Sequence, residues 1–291
     1  MHRVSLLAFS LALAVAASPQ AAYGQATYDQ TVLAEILDRP GYVPAAPVRY
    51  AHYPVAHPSG NSVLARHSLY EAIGNGDKRL GRDRLVLAQL LGGPRAGDLR
   101  IGDVLTLPAQ PADFDLGAVA FAPFGPFWLG AYAQDRVVVV DKTTQTWAAY
   151  GRGHLLRWGP ASTGAAASPT PTGRFTINWR ELERNSTEAP PGETWRMRYV
   201  MNIHERRGIH LHQYDIVPTG PPQGHGCIRM VEADARWLWQ WTAPDPGRTI
   251  VIVQGTEPVG DPVRFVDGPD GPRRVYVTLP DDPLAVPRGD R

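Results

Sequence analysis

Cys227 is the only cysteine in 291 residues, and it sits in the run Gly224-His225-Gly226-Cys227-Ile228-Arg229-Met230. A thiol attacks as its thiolate, so a reactive cysteine needs a nearby base or a positive surrounding. Four imidazoles lie close in sequence: His204, His210, His212 and His225. Side chains alternate along a strand, which puts His210 and His212 of Gly208-Ile209-His210-Leu211-His212 on one face. The run from there to Cys227 holds Pro218, Gly220, Pro221, Pro222 and Gly224, a loop able to return the thiol to that strand. Such a set suits nucleophilic catalysis by a cysteine that ionises readily beside an imidazole. Glycines next to the nucleophile let backbone N–H groups converge on a tetrahedral oxyanion. Arg229 can grip a substrate carboxylate with both of its terminal nitrogens.

Two plainer readings compete. A lone cysteine is often just a small buried apolar residue. His210, His212, His225 and Cys227 also form a ligand set that zinc accepts. Arg229 opposes a dication there, and structural zinc sites carry more cysteine, so no metal is expected.

Residues 1–26 bear on the same cysteine. Met1-His2-Arg3 is a basic start, 4–17 is apolar, and Ala21, Ala22, Gly24 and Ala26 are small. That is the pattern of a secretory signal peptide, and its apolar run is shorter than the roughly 20 residues that span a bilayer. The mature chain is expected to be soluble, outside the cytoplasmic membrane in the periplasm or cell envelope, with no stable membrane insertion after cleavage. Oxidising compartments favour paired cysteines, so an unpaired one there points to a thiol kept for reactivity. Lys plus Arg number 29 against 28 Asp plus Glu, a net charge of +1. With no basic footprint, nucleic-acid binding has no support.

The elements that must hold this chemistry read mainly as strands. With 29 glycines and 28 prolines the chain is turn-rich. Strands are expected at 136–141, 146–150, 155–161, 173–179, 197–203, 208–212 and 249–254, the first two as a hairpin. One helix, 232–241, puts Trp237, Leu238 and Trp241 on one stripe. Upstream, 27–60 reads as an extended lead-in and 61–110 as a small α/β accessory module with helices near 68–73 and 83–91. Residues 111–133 read as a linker. After a catalytic domain over 134–255, the extension 256–291 is expected to hold a hairpin (262–265 with 274–279) and a disordered last ten residues.

Two resemblances follow from quoted residues. Asp98-Leu99-Arg100-Ile101-Gly102-Asp103-Val104-Leu105-Thr106-Leu107-Pro108 resembles the end of a LysM-type glycan-binding module, in which a short strand follows two helices. Ile209-His210, with His225-Gly226-Cys227-Ile228-Arg229-Met230, resembles the signature of the YkuD-type L,D-transpeptidases of bacterial cell walls. Ser162-Thr163-Gly164 and Thr170-Pro171-Thr172-Gly173-Arg174-Phe175 match two upstream motifs of that family, in the same order. Gly224 stands where the family has Ser or Thr, and Leu211-His212 where Gly-Thr commonly follows the strand histidine.

The resemblance implies a β-sandwich with one or two helices and a reaction on peptidoglycan stem peptides. Cys227, with His210 as general base, would attack the donor and expel its terminal D-alanine. An amine acceptor would then resolve the thioester, with no metal or organic cofactor needed. Gly226 would supply backbone to the oxyanion hole, His225 would shape the loop, and Arg229 with His212 would contact substrate. Glycan strands would bind through 61–110. A hydrolase on the same scaffold and a non-catalytic wall-binding protein are the alternatives.

Overall fold

The computed structural model describes residues 50–90, 99–109, 122–214, 217, 220–268 and 271–289. The signal-peptide segment 1–26, lead-in residues 27–49, residues 91–98 and 110 of the accessory module, and linker residues 111–121 lie outside the described residues. Among those described, no helix is long and apolar enough to cross a membrane.

The chain opens with β1 (Tyr50–Pro54), α1 (Ser62–Ile73), α2 (Lys78–Leu90) and β2 (Val104–Pro108). Then come β3 (Val137–Asp141), β4 (Thr146–Gly151), β5 (His154–Ser162), β6 (Gly173–Thr176), β7 (Trp179–Asn185), β8 (Arg196–His204) and β9 (Ile209–Gln213). β10 (Ile228–Met230), α3 (Glu232–Trp241), β11 (Ile250–Gln254) and the hairpin β12 (Phe265–Gly268)–β13 (Gly271–Arg274) complete it.

Nine strands form one sheet in the order β6-β11-β3-β4-β5-β10-β9-β8-β7. Its centre explains the four valines in a row. Val137 and Val139 pack with Tyr150, Trp158 and Ile252 on one face. Val138 and Val140 pack with Trp147, Met201, Ile228 and Leu238 on the other. A strand covered on both faces needs apolar residues at every position, not every second one. The sheet curls until residues of β8 and β9 share the second core with β3, β11 and α3. The fold is mainly β, as expected.

Three sequence expectations need correction here. The accessory module begins at Tyr50, since β1 pairs antiparallel with β2 from Tyr50↔Pro108 to Pro54↔Val104. Its strand character comes from that pairing, not from its own proline-ended sequence. Both helices start earlier than their apolar pattern does. Asn61 Oδ1 accepts the N–H groups of Val63 (2.9 Å) and Leu64 (3.1 Å), and Asp77 Oδ1 those of Arg79 (2.8 Å) and Leu80 (3.1 Å). Such caps satisfy N–H groups that a first turn leaves unpaired. Finally, the end of the tail is not disordered through 289: Arg174 N–H donates to Pro287 O (2.8 Å) and Gly289 N–H to Arg174 O (3.1 Å). β6 is an edge strand, and its unpaired backbone groups recruit the tail. The hairpin turns at 268–271 as expected, with its strands closer to the turn.

The module is no tethered appendage. Leu69, Ile73, Leu85 and Leu107 belong to the same buried cluster as Val137, Tyr150 and Trp158. Arg79 also pairs with Glu232 at the start of α3 (2.5 Å). Beside that pair, the Asp83 carboxylate accepts the Ala233 N–H at 3.4 Å. Burial, reinforced by the charges of Asp234 and Glu232, pushes Asp83 up from 3.8 to about 7. A carboxyl that binds its proton more tightly when folded stabilises the fold below its unfolded pKa and loses that contribution as pH rises through 7. Asp83→Asn should therefore raise the melting temperature by roughly 5 °C at about pH 8 and leave it unchanged near pH 4. Equal shifts at both pH values in a thermal melt would contradict this.

Candidate active site

β10 runs parallel to β9, with Ile228 opposite Leu211 and Arg229 opposite His212. Continuing that register one residue back brings Cys227 beside His210. Leu211 and Ile228 point into the buried core. By strand alternation their neighbours His210, His212, Cys227 and Arg229 turn to the other face. There they line one cleft of about 150 Å³ with Trp179, Trp195, Asn202 and Arg207.

The loop before Cys227 is held from beneath. Gly226 has φ 104°, and a Cβ on it would stand 2.7 Å from Ile209 Cδ1, so only glycine fits. Gly224 N–H donates to Thr163 O (3.1 Å), and its own carbonyl accepts from Ala165 N–H (2.8 Å). Thr163 is fixed in turn by the Gln145 side chain, which accepts its N–H and donates to its hydroxyl, both at 2.8 Å. Thr170, fully buried, donates its hydroxyl to Gly226 O at 2.7 Å and accepts the Gly164 N–H at 2.9 Å. A peptide is planar and trans, so fixing the Gly226 carbonyl also fixes the Cys227 N–H on the opposite edge. This is how the two upstream motifs reach Cys227: they set the orientation of its backbone N–H.

Thr170→Val keeps the shape and removes the hydroxyl. It should lower the acylation kcat by about 10- to 100-fold with KM within about twofold, whereas Thr170→Ser should restore most of the loss. Single-turnover acylation kinetics decide it, and an unchanged kcat in the valine variant would reject the role.

The hydrogen bonds set the two histidines in complementary states. His212 Nδ1 lies 2.7 Å from Gln213 O. A carbonyl only accepts, so Nδ1 carries the proton and Nε2 keeps its lone pair. His210 Nδ1 lies 3.1 Å from Asn202 Nδ2. That amide nitrogen also faces the carbonyls of Ile209 (3.3 Å) and His204 (3.4 Å), while Asn202 Oδ1 accepts from Asn178 Nδ2 (2.8 Å). Asn202 therefore donates to His210 Nδ1, and the proton of His210 sits on Nε2. β8 departs from regular pairing between Arg198 and Met201, and again between Asn202 and His204. Tyr199 takes φ 53° in the first of these irregularities. Such bulges re-aim side chains beside functional sites.

Burial pushes both imidazoles down to about 4. It pushes the Cys227 thiol up to about 11, against the smaller opposing effects of the His210 backbone and the Arg229 charge. The thiol is partly exposed in the cleft, 3.5 Å from Gly208 O. The expectation of a readily ionised sulfur is thus not met in the resting site, where thiol and imidazoles are all neutral. Desolvation outweighs the charge of Arg229.

The other expected residues line the same cleft. Arg229 lies over the Tyr214 ring at 4.2 Å. His225 is exposed, its ring 5.5 Å from Trp195. Among the described residues, no three or more His, Cys, Asp or Glu are grouped to hold a metal. Asn202, Trp179 (5.1 Å from the His210 ring) and Trp195 were not read from sequence. An asparagine inside the apolar run 197–203 was the available signal for the first.

Residues 135–264 match the family model YkuD, described as the L,D-transpeptidase catalytic domain. The expected span 134–255 starts within one residue of that match, which continues further into the extension. No curated protein matches the chain. Solved structures similar to it include an L,D-transpeptidase from Mycobacterium smegmatis, 22% identical, covering 42% of this chain and 59% of that one with TM-score 0.35. L,D-transpeptidase 3 from Mycobacterium tuberculosis, in complex with a faropenem-derived adduct, is 22% identical over 42% of this chain and 60% of that one, TM-score 0.36. An L,D-transpeptidase from Stackebrandtia nassauensis is 19% identical over 66% and 92%, TM-score 0.41. The match thus spans 59% of the length of the first of these.

Proposed function

We propose that the YkuD L,D-transpeptidase catalytic domain carried by residues 135–264 works through a thioester on Cys227, formed with a peptidoglycan stem peptide and passed to an amine. The observation that carries this reading is the convergence of Cys227, His210, His212 and Arg229 on one cleft.

His212 is the better general base, in place of the His210 favoured by the sequence motif, because its Nε2 holds a lone pair while that of His210 holds a proton. On donor binding, Sγ attacks the carbonyl carbon and its proton passes to His212 Nε2. The oxyanion is met by backbone N–H groups around Gly226 and Cys227. His212 then protonates the departing nitrogen, D-alanine leaves, and a thioester remains. An acceptor amine attacks that carbonyl, gives a proton to His212, and the C–S bond breaks; the thiolate recovers its proton. Neutral partners suit this course, since the charge separates only once substrate has closed over the cleft and can be solvated by the oxyanion donors. His210 Nε2–H serves as a hydrogen-bond donor, and Arg229 takes the donor's carboxylate.

The reading places the protein outside the cytoplasmic membrane, at the cell wall. The module at the N-terminal side, with two helices followed by a short strand, would hold glycan strands near the cleft. Product analysis by mass spectrometry with purified stem tetrapeptides tests the reaction. A cross-linked dimer with equimolar D-alanine is expected; a trimmed monomer alone would make the protein a hydrolase and reject transfer.

A further inference from the structure

A second concavity, about 420 Å³, is lined in part by the turn that joins β8 to β9. Its lining includes Arg174, Arg206 and Arg288 against a single carboxylate, Glu205. Arg174 Nε donates to Val286 O at 3.1 Å, which anchors that side chain to the tail. Arg206 and Arg288 are solvent-exposed and take part in no ion pair among the described residues. Three arginines lining one pocket with a single carboxylate, on a chain whose net charge is only +1, amount to a local anion-binding surface.

The pocket is tied to the cleft in two ways. Glu205 lines both, and the next two residues diverge, Arg206 toward the pocket and Arg207 toward the cleft. Gly208, at the end of the same turn, offers the carbonyl beside Cys227 Sγ. Asn178 also lines the pocket, and its amide donates to Asn202, which holds His210. An occupant touching Asn178 is therefore two hydrogen bonds from an imidazole of the cleft.

We propose that this arginine pocket binds the carboxylates of the acyl acceptor, a second stem peptide, and so delivers its amine around the 205–208 turn to the thioester. The proposal rests on the transfer reaction above and adds to it the site that separates transfer from hydrolysis. Arg229 and the cleft hold the donor; Arg174, Arg206 and Arg288 hold the acceptor. The amine nitrogen forms the new bond to the carbonyl carbon, the C–S bond breaks, and the amine's proton returns to the sulfur by way of His212.

The test follows partition, with the full-length protein, a synthetic stem tetrapeptide as donor and the same peptide titrated as acceptor. In Arg206→Gln/Arg288→Gln, D-alanine release at low acceptor should stay within about twofold of the parent. The acceptor concentration giving equal amounts of cross-linked dimer and trimmed monomer should rise about tenfold. On the unaltered protein, an acceptor whose carboxylates are capped as amides should show the same rise, which keeps the result independent of how the double variant folds. Unchanged partition with the capped acceptor would overturn the proposal while leaving the thioester chemistry standing. Absence of D-alanine release from the parent would remove that chemistry, and this proposal with it.

Discussion

Replacing Cys227 with alanine should lower D-alanine release from a stem tetrapeptide by on the order of 10⁴-fold or more, because the proposed thioester needs its sulfur. The fold should persist. Cys227 is in neither buried cluster, and its sulfur meets backbone groups, Gly208 O at 3.5 Å and the His210 backbone. The melting temperature should accordingly shift by less than about 2 °C. Loss of rate with an intact melt supports a nucleophile. Retained rate would move the chemistry elsewhere, and a collapsed melt would make the cysteine structural.

The second large effect separates the histidines. His212→Gln removes the Nε2 lone pair assigned the base role and should cost about 10²- to 10⁴-fold in kcat/KM, against roughly tenfold for His210→Ala, which loses one donor. The pH profile carries an independent signature. The reactive form pairs a neutral imidazole, protonated only below about 4, with a thiol that ionises only near 11. kcat/KM for the parent should thus be flat from about pH 5 to about pH 10. In His212→Gln solvent must take the proton, and the residual rate should climb about tenfold per pH unit across the same range. A steeper loss in His210→Ala, or a parent profile with an inflection near 6 or 7, would return the base role to His210 or to a preformed ion pair.

What could be read from sequence was the part written in local pattern. β-branched runs announced β3, alternation announced the shared face of His210 and His212, and glycines announced the bend at Gly226. What stayed hidden depends on partners distant in the chain. β1 becomes a strand only through β2, fifty residues away. The tail segment is ordered only because β6 lies at a sheet edge. Thr170 and Gly226 are 56 residues apart, so the motif containing Thr170 was visible while its hydroxyl's task was not. The protonation of the site was the least legible feature. Residue types near Cys227 suggested a lowered thiol pKa, but its sign is decided by desolvation, which only the packed structure reveals. The preference between histidines turned likewise on a single carbonyl, Gln213 O, and a single amide, Asn202.

The most direct measurement is the intact mass of the protein after incubation with a carbapenem, alongside Cys227→Ala. The account predicts one adduct per parent molecule, mapped to the peptide containing Cys227, and none on the variant. An unmodified parent, or equal labelling of both proteins, would contradict it.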